Sequence, residues 1–193
     1  MGGILILNAD KSLDFMILSD FDLEGLIKEK RLVIKPFEKE IIRENGLDLR
    51  LTDEVARHNM KRDSKFLIDP SNPDTLKDEY VVERCPKGVV IEPGTQVLLS
   101  TMEFIGLPDN LVGFVELRST WARHGLFMPP TIIDAGFAGT VTLEVFNSSR
   151  FPILLRPKVR FAHVIFATTL NRVRNAYKGT YLNQRGIKLP KKL

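Results

Sequence analysis

From residue 19 the apolar positions first recur at helical spacing: in "LSDFDLEGLIKEKRL", Phe21, Leu23, Leu26 and Ile27 form an approximate stripe. Ser19 and Asp22 make a capping-box pair, with Asp where Glu or Gln is usual. Lys28, Lys30 and Arg31 suit the negative end of a helix. The period then shortens to alternation. "LVIKPF" reads as a short strand stopped by Pro36. "NGLDLRL" reads as a strand after an Asn-Gly turn, with Leu47, Leu49 and Leu51 on one face and Asp48 and Arg50 on a wet one. Residues 57 to 80 are polar, carry two prolines and predict a long surface excursion. Beyond them come "GVVIEPG", "TQVLLSTMEFIGLP", "NLVGFVELRS", "TIIDAG", "TVTLEVFN", "FPILLRP" and "RFAHVIFATTL", parted by turn signals such as Pro93-Gly94 and Pro108-Asp109-Asn110. Short strands at such intervals predict a mainly β sandwich, jelly roll or barrel. "STWARHGL" breaks the alternation and predicts one or two helical turns. The tail, "NRVRNAYKGTYLNQRGIKLPKKL", is basic and weakly apolar, and is expected to be mobile without a ligand.

Composition narrows this picture without changing it. The 193 residues fit one domain able to bury a core, and 44% apolar with 27% charged content is ordinary for a globular chain. A net charge of +4 favours an anionic ligand but falls short of a dedicated nucleic-acid binder. Aromatic content of 8%, with no basic-aromatic stripe, argues the same way. Cys85 is alone, so no intrachain disulfide forms, which suits a reducing cytoplasm. The apolar run in "MGGILILNADKSLDF" is too short for a signal peptide, and no stretch reaches the length of a membrane helix. The expectation is a soluble, cytoplasmic protein.

Three stretches can carry chemistry. In "TVTLEVFN", Val141, Leu143 and Val145 form one face and Thr142, Glu144 and Phe146 the other. A lone Glu in a strand most often faces solvent. Beside Phe146 and a neighbouring strand, Glu144 is expected to be half-buried, with a raised pKa suited to moving protons near neutrality. Asp134 precedes "AGFAG", where an Asp most often bonds its own backbone; at the end of a buried strand it can instead accept from a ligand hydroxyl. In "ELRSTWARHG", Arg118, Ser119, Thr120 and Arg123 offer guanidinium forks and hydroxyls at a helix start, a phosphate-binding combination or simply a solvated turn. No H-x-E with P-C-x-x-C arrangement, no G-x-x-x-x-G-K-[ST] loop and no G-x-G-x-x-G is present, so neither a zinc deaminase nor a P-loop enzyme is indicated.

From "MILSDFDL" through "NGLDLRL", "EPGTQVLLSTMEFIGLPDNLVG", "RSTWARHGL", "IIDAGFAGTVTLEVFN" and "LLRP" to "GTYLNQRG", the chain resembles the dCTP deaminase and dUTPase family in collinear order. The resemblance implies a distorted jelly-roll-like β barrel with a few short helices, assembled as a homotrimer with active sites between subunits. It divides the chain into an extension at 1–15, a barrel domain at 16–170 and a mobile lid at 171–193. It gives Glu144 the role of proton shuttle. Arg118, Ser119, Thr120 and Arg123 would hold the triphosphate, with Ser119 also near the catalytic water. Asp134 would hold the deoxyribose or, in members that also hydrolyse the triphosphate, act catalytically by activating a second water near the α-phosphate. The backbone at Ile133 would read the pyrimidine edge, and Tyr177, Tyr181 and Gln184 would close over the phosphates. Mg2+ would arrive on the nucleotide, without zinc.

Deamination of dCTP to dUTP and ammonia is the leading implication. A dUTP diphosphatase, or a bifunctional enzyme releasing dUMP and pyrophosphate, is the alternative, and a non-catalytic nucleotide-binding barrel the third. Ile132 stands where many deaminases have arginine, Thr180 where a lysine is common, and "FMPP" is unusual before the Asp strand. These departures bear on whether the product is dUTP or dUMP.

Overall fold

The computed structural model describes residues 16–61 and 67–191. The expected extension at 1–15 lies outside the described residues. Helix α1 (Asp20–Lys28) begins where the capping box predicts: Ser19 accepts from the Asp22 N–H, and the Asp22 carboxylate accepts from the Ser19 N–H at 2.9 Å. Strand β1 (Val33–Lys35) stops at Pro36, and β2 (Ile42–Arg43) turns back through Glu44 and Asn45 into β3 (Gly46–His58).

β3 is the spine of the fold. Its first half pairs with β14 (Arg160–Thr168), and its second half pairs with β4 (Tyr80–Arg84) and β6 (Gln96–Thr101). Between Leu51 and Val55 its register against β6 shifts, and such an irregularity bends and twists a strand. That bend lets one strand serve two halves of a curled sheet.

The remaining strands are β5 (Val89–Ile91), β7 (Phe104–Gly106), β8 (Leu111–Leu117), β9 (Leu126–Phe127), β10 (Thr131–Ile133), β11 (Ala138–Gly139), β12 (Thr142–Asn147) and β13 (Ile153–Leu155). The main sheet runs β10-β8-β14-β3-β6-β12-β9. Smaller sheets β1-β7-β11 and β13-β5 complete a mainly β, jelly-roll-like body. Two short helices join α1: α2 (Pro73–Leu76) and α3 (Ser119–Arg123).

The core gathers Leu47, Leu49, Leu51, Leu143, Val145, Phe161 and Phe166. Each such side chain, fully buried, contributes about 2 kcal/mol from apolar area removed from water. Two expectations need correction. Asp48 and Arg50, assigned to a wet face, are buried as well, because the side chains of His163 and Arg160 on β14 close over Asp48 and those of Glu38 and Glu103 close over Arg50. Arg50 is compensated there by Glu103, whose Oε1 is 2.7 Å from Nε and whose Oε2 accepts the Arg50 N–H at 2.8 Å. The surface excursion at 57–80 is shorter than predicted: β3 continues to His58, and Tyr80 opens β4 as its register partner. Alternation there is hidden by charged residues pairing across an edge, as Arg57 does with Glu83 at 3.0 Å.

Candidate active site

β12 alternates buried and half-buried positions. Leu143, Val145 and Asn147 point into the core, while Thr142, Glu144 and Phe146 point the other way. In register, Glu144 lies opposite Leu98 of β6, which lies opposite Ala56 of β3. An apolar row therefore flanks the carboxylate, which lines a cavity of about 470 Å³. Burial pushes the Glu144 carboxyl above its ordinary 4.5, and a contact with its own backbone N–H pulls the other way without cancelling the effect. Tyr80 stands in the same cavity. Its phenol is pushed up to about 12 by burial first, with the negative charges of Glu79 and Glu144 adding to it. The Tyr80 ring stacks on His58 at 4.5 Å.

Asp134 follows β10 at the mouth of this cavity, exposed, in a turn closed by the Phe137 N–H on the Asp134 carbonyl at 3.0 Å. The glycines beside it have a packing reason. At Gly136 (φ +84°) a Cβ would come within 2.6 Å of the Ala176 Cβ, and at Gly139 within 2.8 Å of Phe137 and 3.0 Å of Gln184. Both give way to the C-terminal segment. That segment, expected to move, is docked in this conformation. Tyr177 N–H donates to the Ala135 carbonyl at 2.9 Å, Thr140 N–H to the Gln184 carbonyl at 3.1 Å, and Lys188 N–H to Thr142 Oγ1 at 3.1 Å. The Gln184 side chain is buried; its Nε2 donates to the Thr140 carbonyl, and its Oε1 has no partner among the described residues. A buried, unpaired acceptor beside a cavity suits a ligand donor.

A second recess, of about 270 Å³, opens at the end of β8 and is lined by Asp48, Glu116, Arg118, Ser119, Thr120 and His163. α3 is pinned there by Trp121, whose Nε1 donates to the Arg160 carbonyl at 2.9 Å and whose ring packs 5.8 Å from that of Phe161. Asp48 is 2% exposed. Burial alone would raise its pKa. The hydrogen bond with His163 and the charges of Arg118, His163 and Arg160 outweigh that, so the group sits below its ordinary 3.8.

A family model described as dCTP deaminase-like matches residues 17–169. The chain belongs to the dCTP deaminase-like family. The dCTP deaminase of Sulfurisphaera tokodaii is 48% identical over 178 residues, spanning 91% of this chain and 92% of the relative. That of Saccharolobus solfataricus is 47% identical over 176 residues, with the same coverage. Among solved structures, the 2′-deoxycytidine 5′-triphosphate deaminase from Agrobacterium tumefaciens superimposes with a TM-score of 0.63 at 23% identity. The match covers 80% of this chain and 47% of that one, so this chain spans about half its length. At that identity the likeness concerns the fold, and it agrees with the mainly β jelly-roll-like architecture.

Within this dCTP deaminase-like chain the residues singled out from sequence fall into two groups, with Arg123 outside both. Ile133, Asp134, Glu144, Tyr177, Tyr181 and Gln184 line the large cavity. Arg118, Ser119 and Thr120 line the recess beside α3, and Arg123, exposed at the end of that helix, lines neither. The two openings share no lining residue, so Ser119 and Glu144 do not meet in a common cavity of one chain. Sequence reasoning missed Tyr80, Gln96 and Lys188 in the cavity and Asp48 and His163 in the recess. The alternation of "NGLDLRL" did mark Asp48 as sharing a face with Arg50. Nothing in the polar stretch before it marked Tyr80.

Proposed function

We propose that this chain is a dCTP deaminase, replacing the 4-amino group of the cytosine of dCTP with a carbonyl oxygen from water and releasing dUTP and ammonia. The observation that carries the reading is Glu144: half-buried in a cavity roomy enough for a pyrimidine nucleoside, with its proton affinity raised by burial. The dCTP deaminases named above, at 48% and 47% identity, support the same activity.

In this mechanism Glu144 takes a proton from water as its oxygen forms a bond to C4. It delivers that proton to the ring nitrogen N3 of the tetrahedral adduct, then takes the proton of the new C4 hydroxyl and carries it to the amine as the C4–N bond breaks and the C4 carbonyl forms. Water and dCTP become dUTP and ammonia, and Glu144 returns to its starting state. A carboxyl whose proton affinity is raised by burial serves both directions of transfer better than one at the ordinary value. Asp134 accepts from the sugar hydroxyl at the cavity mouth, and Gln184 presents its unpaired oxygen to a ligand donor.

The triphosphate belongs to Arg118, Ser119, Thr120 and Arg123. Because Arg118 and Ser119 open to a different recess, a complete site requires a second copy of the chain to bring them to Glu144, and a homotrimer closes such an arrangement three times over. The C-terminal segment acts as the lid. Mg2+ accompanies the nucleotide, since phosphate oxygens and water suit it. Among the described residues no three His, Cys, Asp or Glu side chains gather into a metal-ligating group, and none of the steps above draws on one. No helix among the described residues is long and apolar enough to cross a membrane, and the unpaired Cys85 suits the cytoplasm.

A bifunctional reading, with dUMP and pyrophosphate as products, is favoured by Ile132, an exposed apolar residue on the cavity wall where the family resemblance leads one to expect arginine. One assay separates the two. With dCTP and Mg2+, ammonia without pyrophosphate supports the deaminase. Both products support the bifunctional enzyme. Absence of ammonia contradicts the main reading.

A further inference from the structure

His163 sits on β14 between the two strands that build the recess. Its register partner on β3 is Asp48 and on β8 is Glu116, so the three occupy one row across three adjacent strands. The imidazole packs over Gly46, where a Cβ would approach within 2.5 Å of Nε2, so only glycine leaves the ring its place. Nδ1 lies 3.0 Å from Asp48 Oδ1. The other oxygen of that carboxylate, Oδ2, is buried without a well-directed hydrogen bond and faces two guanidinium groups, Arg118 Nε at 3.2 Å and Arg160 NH1 at 3.5 Å. Arg118 is held again on its other side, NH1 donating to the Arg160 carbonyl at 3.1 Å. Two of its three guanidinium nitrogens are thereby engaged, and NH2, without a partner among the described residues, is left to a ligand.

We infer that His163 is a positioning residue, which acts through Asp48 to aim Arg118 at the phosphates of the nucleotide. This rests on the proposal that Arg118 holds the triphosphate. The torsion that turns an aspartate carboxylate is soft and nearly two-fold, so a carboxylate attached at neither oxygen rotates freely. His163 fixes Oδ1, and Oδ2 is then forced to face Nε of Arg118. A guanidinium pinned along one edge loses little rotamer freedom when a phosphate arrives, whereas an unpinned arginine loses much. Glu116, the other acid facing His163, is exposed at the rim and makes no ion pair among the described residues.

The test compares full-length wild type with His163→Ala and His163→Gln, in which the Gln amide can still donate to Asp48. With dCTP, the Ala variant is expected to raise KM on the order of tenfold, the scale of a hydrogen bond to a charged group, with kcat unchanged. The Gln variant is expected to stay within about twofold of wild type on the same scale. Binding of deoxycytidine, which lacks phosphates, should be the same in all three. An unchanged KM in the Ala variant, an equal loss for deoxycytidine, or a Gln variant no better than Ala would overturn the inference.

A readout independent of turnover is the Nε–H resonance of Arg118 in arginine-labelled protein without nucleotide. Slow solvent exchange in wild type and His163→Gln, accelerated in His163→Ala, is expected; equal exchange in all three contradicts the positioning role. Should wild type release no ammonia from dCTP, the proposed function fails while this resonance still decides the inference. If His163→Ala does not fold, wild type against His163→Gln decides it: fast exchange of the Arg118 Nε–H in wild type, or its acceleration in the Gln variant, overturns the role.

Discussion

Glu144 and Asp48 lie two strands apart in one sheet, and their protons behave in opposite ways. Asp48 is nearly closed to solvent, yet its pKa is lowered; Glu144 is half-buried, and its pKa is raised. Burial pushes both upward, so the groups that surround each acid decide the sign. Asp48 is met by an imidazole and two guanidinium groups, which stabilise its charge by more than burial costs. Glu144 faces an apolar row and a phenol, and no cation among the described residues lowers its pKa. The division suits the two proposed tasks: an acid that holds arginines must stay charged, and an acid proposed to relay protons must be willing to lose its charge.

The largest effect that sharpens this contrast is on turnover. Glu144→Gln keeps the size and much of the hydrogen bonding of the side chain but cannot exchange a proton. Ammonia release from dCTP should fall by at least about a thousandfold, within the range of acid–base catalysis, while nucleotide binding measured by calorimetry persists. Retained turnover would remove Glu144 from the mechanism.

Stability gives the next effect, and here the two acids should part in sign. The folded pKa of Glu144 lies above its unfolded value, so the native chain binds more protons between the two and stability falls as pH rises through that window. Glu144→Gln removes this cost. The variant should melt above wild type at pH 8, and the gap should close as pH falls below 4.5. For Asp48 the folded pKa lies below the unfolded one. Its contribution is complete above the unfolded value and is lost as pH falls through the folded value, below 3.8. Asp48→Asn removes the buried charge that faces His163, Arg118 and Arg160, and because those partners keep part of their contact with water it should cost about 1–2 kcal/mol at pH 7 by urea denaturation. Two variants shifted in the same direction would break the comparison.

A smaller effect concerns the cavity roof. Removing residues 177–193 takes away Tyr177, Tyr181 and Gln184, and should weaken dCTP affinity about tenfold, roughly 1.4 kcal/mol. An unchanged saturation curve would show that the segment is not a lid.

The architecture was largely legible in the chain, because turn chemistry and alternation are local signals. The Ser19–Asp22 capping box, the stop at Pro36 and the in–out alternation around Glu144 all appear as expected. What escaped depends on partners distant in sequence. Asp48 looked solvent-facing because its partners His163 and Arg160 lie more than 100 residues away on β14. Tyr80 looked like part of a loop because the pairing that makes it a strand residue, with His58, spans a polar excursion. The single site implied by the family resemblance resolves into a cavity and a recess in one chain, since no local pattern says which residues one chain brings together.

The most direct measurement is a carboxyl-carbon NMR titration of uniformly labelled wild type, with Glu144 and Asp48 assigned by their Gln and Asn variants. A Glu144 midpoint above 4.5 and an Asp48 midpoint below 3.8 are expected in the same spectra. A Glu144 midpoint at or under 4.5 would contradict this, leaving the cavity with an ordinary acid and the proposed proton relay without its physical basis.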